Sequence, residues 1–506
     1  RPFAYSYGSG DPVWGLQRLW SVGCWQEGRR GMHCFRRTVA VLLIGCALWS
    51  RGSGVLAGEL RAGAATSVVT PAIGGDIVGG FQPIPSTHIH DELHVRCLVL
   101  DDGTNRIALV VCDLLGLHRC VSDEARKQIQ QRLGIPAEHV LISATHTHSA
   151  VSALGSVRYA IEAEPDEYQR FVISRIVDGV QRAVNLLRPA ELAFGTVEAG
   201  EHVFNRRWHM RDGYVAKNPF GGVDRVKMNP PAGSAQLDRP AGPVDPVVSV
   251  LSVREPGGAP IAVYAAYSLH YVGGVGNGHI SADYFGMFCE ALSRRHGTGA
   301  QPIPFVAMLA NGTSGDVNNI NFRTPRPAAP AYQQMRLVAE DVADKVHGIL
   351  GGLKYRRELQ VAGRMSELTV GWRIPTAEQL AWAAETLSQP EGLPGQADLP
   401  RIYAGRVRSL EGQPERAAVP LQVLRIGDVR VGTMPCEVFC EIGLEYRRRV
   451  SAGGGGFLVS LAHGYYGYLP TAEQHLLGGY ETWLGTNRLA ADAAGMMLDE
   501  LERIGK

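Results

Sequence analysis

Short β-branched runs alternate with amphipathic stretches along this chain, and that alternation restricts its fold more than any other feature. LHVRCLVL (93–100), RIALVVCDL (106–114), VLISAT (140–145), VVSVLSV (247–253), IAVYAAYS (261–268), FVAMLA (305–310), VRVGTM (429–434) and FLVSLA (457–462) read as strands. Helical periodicity fills the intervals. One helix is predicted from about Asp123, capped by Ser122 and stopped by Gly134. Another spans 165–187, with Phe171, Ile173, Ile176, Val177, Val180 and Val184 on its apolar face. Further helices are expected over 331–350, 436–450 and 489–504. This is the pattern of an α/β protein with mixed β-sheets flanked by helices. Residues 209–246, rich in Gly, Pro and charge, predict a long ordered loop or lid, and the proline-rich 388–420 an insertion at an edge.

Ionisable or polar residues gather just past the carboxyl ends of these strands. His146 follows VLISAT, His270 follows IAVYAAYS, Asp316 follows FVAMLA, Glu437 follows VRVGTM, and Tyr465 and Tyr468 follow FLVSLA. Ligands of open α/β sheets bind in the crevice beyond the strand carboxyl ends, so five such coincidences predict one shared site there. In ATHTHSA (144–150), an extended backbone would put His146 and His148 on one face, across Thr147. Alone, such a pair fits a surface as well as a metal. Two imidazoles and a carboxylate, however, are the usual protein ligands of a catalytic zinc, and a tyrosine oxygen is a chemically sound addition. Asp316, in GTSGDVNN, reads as a turn residue. HIHDE (88–92) mimics a metal motif but precedes its strand, so it reads as surface or pocket rim.

Charge excludes one class of partner. Lys and Arg total 50 against 49 Asp and Glu, with no long basic run, which argues against nucleic acid. The stretch 32–57 reads as a signal peptide: Met32, the basic pair Arg36 and Arg37, an apolar run from Val39 to Trp49, and an Ala57–Gly58 junction. Residues 1–31 then read as an upstream extension and 58–506 as the catalytic domain of an exported, periplasmic or secreted protein. Lipid attachment at Cys46 is the second choice. Six cysteines lie beyond the leader (Cys97, Cys112, Cys120, Cys289, Cys436, Cys440) without a CxxC pair, and most read as buried thiols.

ISATHTHS, SLHYVGG…ISADYFG, NGTSGDVNN, PCEVF and YYGYLPTAEQHLLGGYE occur in an order that resembles the neutral/alkaline non-lysosomal ceramidase family, over roughly residues 62–480. The resemblance implies a single Zn2+ held by His146, His270, Glu437 and Tyr468. It implies His148 beside the metal against substrate, Tyr480 on the oxyanion, and Arg206 at the pocket, with Arg207 its neighbour. The implied reaction is attack of a zinc-activated water on the amide bond of ceramide or a related N-acyl lipid, with transient contact to a membrane surface. Hydrolysis of a non-lipid amide or an ester is the alternative on the same site; a non-catalytic lipid- or glycan-binding protein would not need four ligands. Two departures stand out. Ala150 and Val151 replace the Gly-Pro that follows THTHS in those proteins, which bears on the pocket's shape. Their C-terminal immunoglobulin-like domain is also not expected in a chain ending at Lys506.

Overall fold

The computed structural model describes residues 58–155, 160–297, 301–390 and 398–506. The expected upstream extension, signal peptide and Cys46 lie outside the described residues. Three sheets make the architecture. The first holds β1 (Arg61–Val68), β2 (His94–Asp101), β3 (Arg106–Cys112) and β4 (Val140–Ala144), in the order β4-β3-β2-β1, edged by Arg188–Pro189. The second holds β5 (Glu191–Glu198), β6 (Val247–Arg254), β7 (Pro260–Tyr267) and β8 (Val306–Asn311), in the order β8-β7-β6-β5. The third runs in chain order through β9 (Val361–Gly371), β10 (Arg416–Ile426), β11 (Val429–Thr433) and β12 (Gly456–Val459). Each sheet contains one parallel pair: β3 with β4, β7 with β8, and β11 with β12.

Strand alternation builds the core. In β3, Ile107, Leu109 and Val111 enter a central cluster with Leu251 and Tyr264 of the second sheet and Leu424 and Val431 of the third. Ala108, Val110 and Cys112 point to the opposite face, under α1 (Arg119–Leu133) and α2 (Glu167–Asn185). Likewise α3 (Asp283–His296) and α4 (Gln333–Leu350) cover the outer face of the second sheet. Helices α5 (Ala377–Ser388) and α6 (Leu399–Ser409) pack on each other, and α7 (Cys440–Val450) and α8 (Ala493–Gly505) cover the third sheet. Burying each Leu or Val of the shared cluster is worth roughly 1.5–3 kcal/mol, so the three inner faces hold each other in place. No helix among the described residues is long and apolar enough to cross a membrane.

Several local expectations change. Helix α1 starts at Arg119, its N-cap is His118 accepting from the Cys120 amide, and Ser122 instead donates to His463 O at 2.7 Å. Gly134 does end that helix, in the left-handed conformation. On α2, Phe171 stays exposed while Val172 is buried. Helix α7 begins only at Cys440, because Glu437–Val438 pairs in parallel with Tyr468–Leu469. The 209–246 stretch contributes four short strands: Val226–Met228 and Leu237–Pro240, which flank Arg207–Met210, and Ala216–Lys217 paired with Val223–Asp224. The 388–420 stretch is more than an edge insertion, since it supplies α6 and the start of β10. Pro420 fits there because β11 pairs with β10 only from Gln422 onward.

The three sheets meet where their parallel pairs end. Ala144 N donates to Leu461 O at 3.1 Å and His463 N to Ile142 O at 2.9 Å, joining the first and third sheets. Ser460 N donates to Asn311 O at 3.0 Å, and Asn311 Nδ2 to Thr145 O at 2.9 Å, closing the triangle through the second.

Candidate metal centre

His146 leaves β4 in a turn, not on an extended strand: its φ is 71°. A left-handed backbone at a non-glycine residue is uncommon and costs energy that the surroundings must hold in place. Here the His146 amide donates to Leu114 O at 2.9 Å, and the Nδ1–H donates to Leu115 O at 2.7 Å. The turn, rather than strand periodicity, swings His146 and His148 together, with their Nε2 atoms 3.1 Å apart. His270, just past β7, donates Nδ1–H to Ser314 O at 3.0 Å, so its Nε2 also faces inward.

Glu437 completes the group from the end of β11. Its Oε2 lies 3.2 Å from His146 Nε2 and 3.7 Å from His270 Nε2. Its Oε1 accepts from Tyr465 Oη at 2.7 Å. The carboxylate is 3% exposed, and burial alone would raise its pKa. His146 beside it and the hydroxyls of Tyr468 and Tyr465 outweigh that and hold it below the ordinary range. Burial, with His146 and Arg206 adding to it, lowers His148 and His270 well below the usual imidazole range. Close approach around the site depends on glycine: a Cβ on Gly315 would stand 2.5 Å from Glu437 O, and one on Gly79 2.6 Å from His148 Cβ.

The donor chemistry fits a divalent ion. His270 Nε2 and Glu437 Oε2 are buried without hydrogen-bond partners, and leaving buried polar atoms unpaired costs about 1–3 kcal/mol each. Both histidines have their other nitrogen bound to a main-chain carbonyl, as metal-ligating histidines commonly do. His146, His148 and His270 bring one nitrogen each within 4.8 Å of one another. Glu201, His202 and Asp341 form a second such group, but Lys345 Nζ sits 2.9 Å from Glu201 and neutralises it. Neither group contains a cysteine; the six described cysteines are unpaired thiols, five of them buried.

The other expected residues fall in graded positions. Tyr468 stands beside Glu437 and Arg206, and the Arg206 guanidinium lies 5.2 Å from its ring centroid. Burial raises the Tyr468 hydroxyl well above the usual phenol range. Tyr480 stands one ring further out, 5.7 Å from Tyr468 between ring centroids. Arg206 and Arg207 both bind the buried Glu481, at 2.8 and 2.7 Å. Arg206 is the one beside Tyr468, whereas Arg207 lies against Phe439. Asp316 is a brace and not a ligand: it accepts from Cys440 N and Asn205 Nδ2, and burial raises its pKa to about 6. HIHDE does border the site. His88–Ile89 pairs with His279–Ile280, and His279 and His148 line one cavity of about 260 Å³ with Ile77, Ile84 and Tyr271. Val151 bridges to Ile77 in that wall, at the position that departs from Gly-Pro.

Sequence reasoning gave no role to four contributors. Tyr271 stacks on His148 at 3.7 Å, Tyr465 binds Glu437, Glu481 joins the two arginines, and Leu115 supplies a carbonyl. Only Tyr465 carried a signal, its place after a strand.

Comparison with known proteins agrees with this architecture. Residues 77–327 match the profile described as neutral/alkaline non-lysosomal ceramidase, N-terminal. A neutral ceramidase of Mycobacterium tuberculosis is 24% identical over 455 residues, covering 78% of this chain and 68% of that protein. The crystal structure of neutral ceramidase from Pseudomonas aeruginosa superposes with a TM-score of 0.65 at 18% identity, covering 88% of this chain and 74% of the other. A structure of ceramidase complexed with C2 matches equally well, with a TM-score of 0.65 at 19% identity and the same coverage of each chain.

Proposed function

We propose, from the match of residues 77–327 to the neutral/alkaline non-lysosomal ceramidase family, that the chain is a zinc-dependent amidohydrolase cleaving ceramide or a related N-acyl lipid. The observation that carries this reading is the pair of buried, unpartnered atoms His270 Nε2 and Glu437 Oε2 facing His146 Nε2. His146, His270, Glu437 and Tyr468 would hold one Zn2+ per chain. Mg2+ or Ca2+ would favour more oxygen ligands than this set offers. When bound, zinc supplies Lewis-acid polarisation of the amide carbonyl and lowers the pKa of water in the site.

The chain's own residues do the rest. His148 is held neutral, so its Nε2 can take a proton from water entering beside it and return that proton to the leaving amine nitrogen. Its ring cannot tumble, being stacked on Tyr271. Arg206, fixed by Glu481, and the Tyr480 hydroxyl supply donors where negative charge grows on the carbonyl oxygen. The cavity beside His148, walled by Ile77, Ile84 and glycine backbone, gives an apolar surface for part of the lipid.

The test is purified protein with its zinc quantified, assayed against N-acylsphingosines, N-acyl amino acids and simple esters. Amine release from N-acylsphingosines should rise with bound zinc. Turnover of esters alone overturns the amide reading, and full turnover by zinc-stripped protein overturns the metal. Tyr480→Phe should keep its zinc but turn over on the order of 10²-fold more slowly, since one oxyanion donor is lost. Unchanged turnover returns Tyr480 to the packed aromatics around Phe81 and Trp483.

A further inference from the structure

We propose that Tyr465 is a positioning residue that selects which oxygen of Glu437 faces the metal, an inference that rests on the zinc reading above. A carboxylate at the end of a short strand can rotate about its last bond and offer either oxygen, or both. In this protein one oxygen is taken: Tyr465 Oη donates to Oε1 at 2.7 Å. The other, Oε2, is left buried and unpartnered, 3.2 Å from His146 Nε2 and 3.7 Å from His270 Nε2. The hydroxyl therefore holds the carboxylate in the rotamer that offers a single oxygen toward the two imidazoles. It does so at no conformational cost at loading, because the bond is made before the ion arrives.

Tyr465 is itself fixed. Arg488 Nη1 donates to its carbonyl at 3.2 Å, and the Arg488 guanidinium lies 5.3 Å from its ring centroid. Its ring edge packs against Gly116, where an added Cβ would come within 3.5 Å. Glu437 N in turn donates to Gly467 O at 3.0 Å, so the segment carrying Tyr465 also anchors the main chain of the residue it orients. Tyr466, next in the chain, points elsewhere: its hydroxyl donates to Ala418 O.

The test compares three variants of the full chain, zinc-loaded, in competition with a chromophoric chelator, with thermal unfolding run in parallel. Tyr465→Phe should fold with a near-native melting temperature and bind zinc about 10-fold to 100-fold more weakly, the usual cost of losing a partner that orients a ligand. With Co2+ in place of zinc, its visible absorption should change shape, reporting a carboxylate free to chelate through both oxygens. Tyr466→Phe removes a neighbouring hydroxyl of purely structural use, so its zinc affinity and cobalt spectrum should stay native. His146→Ala separates the two ideas. If it loses zinc while Tyr465→Phe retains native affinity and spectrum, the positioning role is overturned and the zinc site stands. If His146→Ala holds zinc as tightly as the native chain, the zinc site falls and this role with it. A Tyr465→Phe protein that only melts lower, with native affinity, also overturns the proposal.

Discussion

His146→Ala is expected to purify with clearly less zinc than the native chain, while His148→Ala two residues away keeps its zinc and loses rate. The difference follows from what surrounds each ring. His146 has its Nδ1–H committed to Leu115 O and its Nε2 beside Glu437 Oε2, so it has one nitrogen to offer and a carboxylate sharing the target. His148 is only half-buried, stacks on Tyr271 and lines the cavity in which substrate would lie. Losing a ligand should reduce activity more than about 100-fold, since even the residues that orient ligands cost 10–100-fold. Losing His148 should cost on the order of 10²–10⁴-fold, the range for a proton-transferring side chain. Metal content measured beside activity decides the matter. Equal zinc loss in both variants would make His148 a third imidazole ligand, which the 3.1 Å between the two Nε2 atoms allows. Full activity in both would end the metallohydrolase reading.

The reasons behind these assignments were unevenly legible in the sequence. Strands such as 106–114 announced themselves because both faces are buried, one under helices and one in the central core, so nearly every residue had to be apolar. The polar residue after each strand was equally visible, and four of the five strand ends deliver their groups to one place, Asp316 being the exception. The geometry of the pair His146 and His148 was not. Alternation predicted a shared strand face, but a left-handed φ at His146 does the work, and the bonds that stabilise it come from Leu114 and Leu115, some thirty positions earlier. Distance along the chain hid other features in the same way. Ser122 looked like a cap because its bond to His463 spans 341 positions, and Glu437 looked helical because its partner strand begins at Tyr468. Local propensity cannot see such partners. Arg206 and Arg207 were indistinguishable for the same reason: what separates them is whether Tyr468 or Phe439 lies beneath.

That arginine pair yields the largest stability effect expected of this chain. Glu481 is fully buried, with Oε1 bound to Arg206 Nε at 2.8 Å and Oε2 to Arg207 Nη1 at 2.7 Å. Arg207 is 0% exposed and Arg206 5%. Glu481→Ala would leave two buried cations facing each other without their shared counter-charge. Removing one partner of a buried pair typically costs 3–5 kcal/mol, because the remaining charge stays out of water. Arg207 keeps some support from Gly478 O at 2.8 Å, whereas Arg206 loses the bond that aims it. Thermal unfolding should therefore show a clear fall in melting temperature, and activity measured well below that temperature should fall as well. The triple variant Arg206→Met, Glu481→Leu, Arg207→Met distinguishes the two losses. Replacing a buried ionic group by apolar residues of similar volume is often neutral, so this protein should regain most of the lost melting temperature. It should not regain activity, because no cation remains beside Tyr468. A Glu481→Ala protein that melts with the native chain would show that solvent reaches these arginines. A triple variant with native turnover would show that Arg206 holds the fold and takes no part in the reaction.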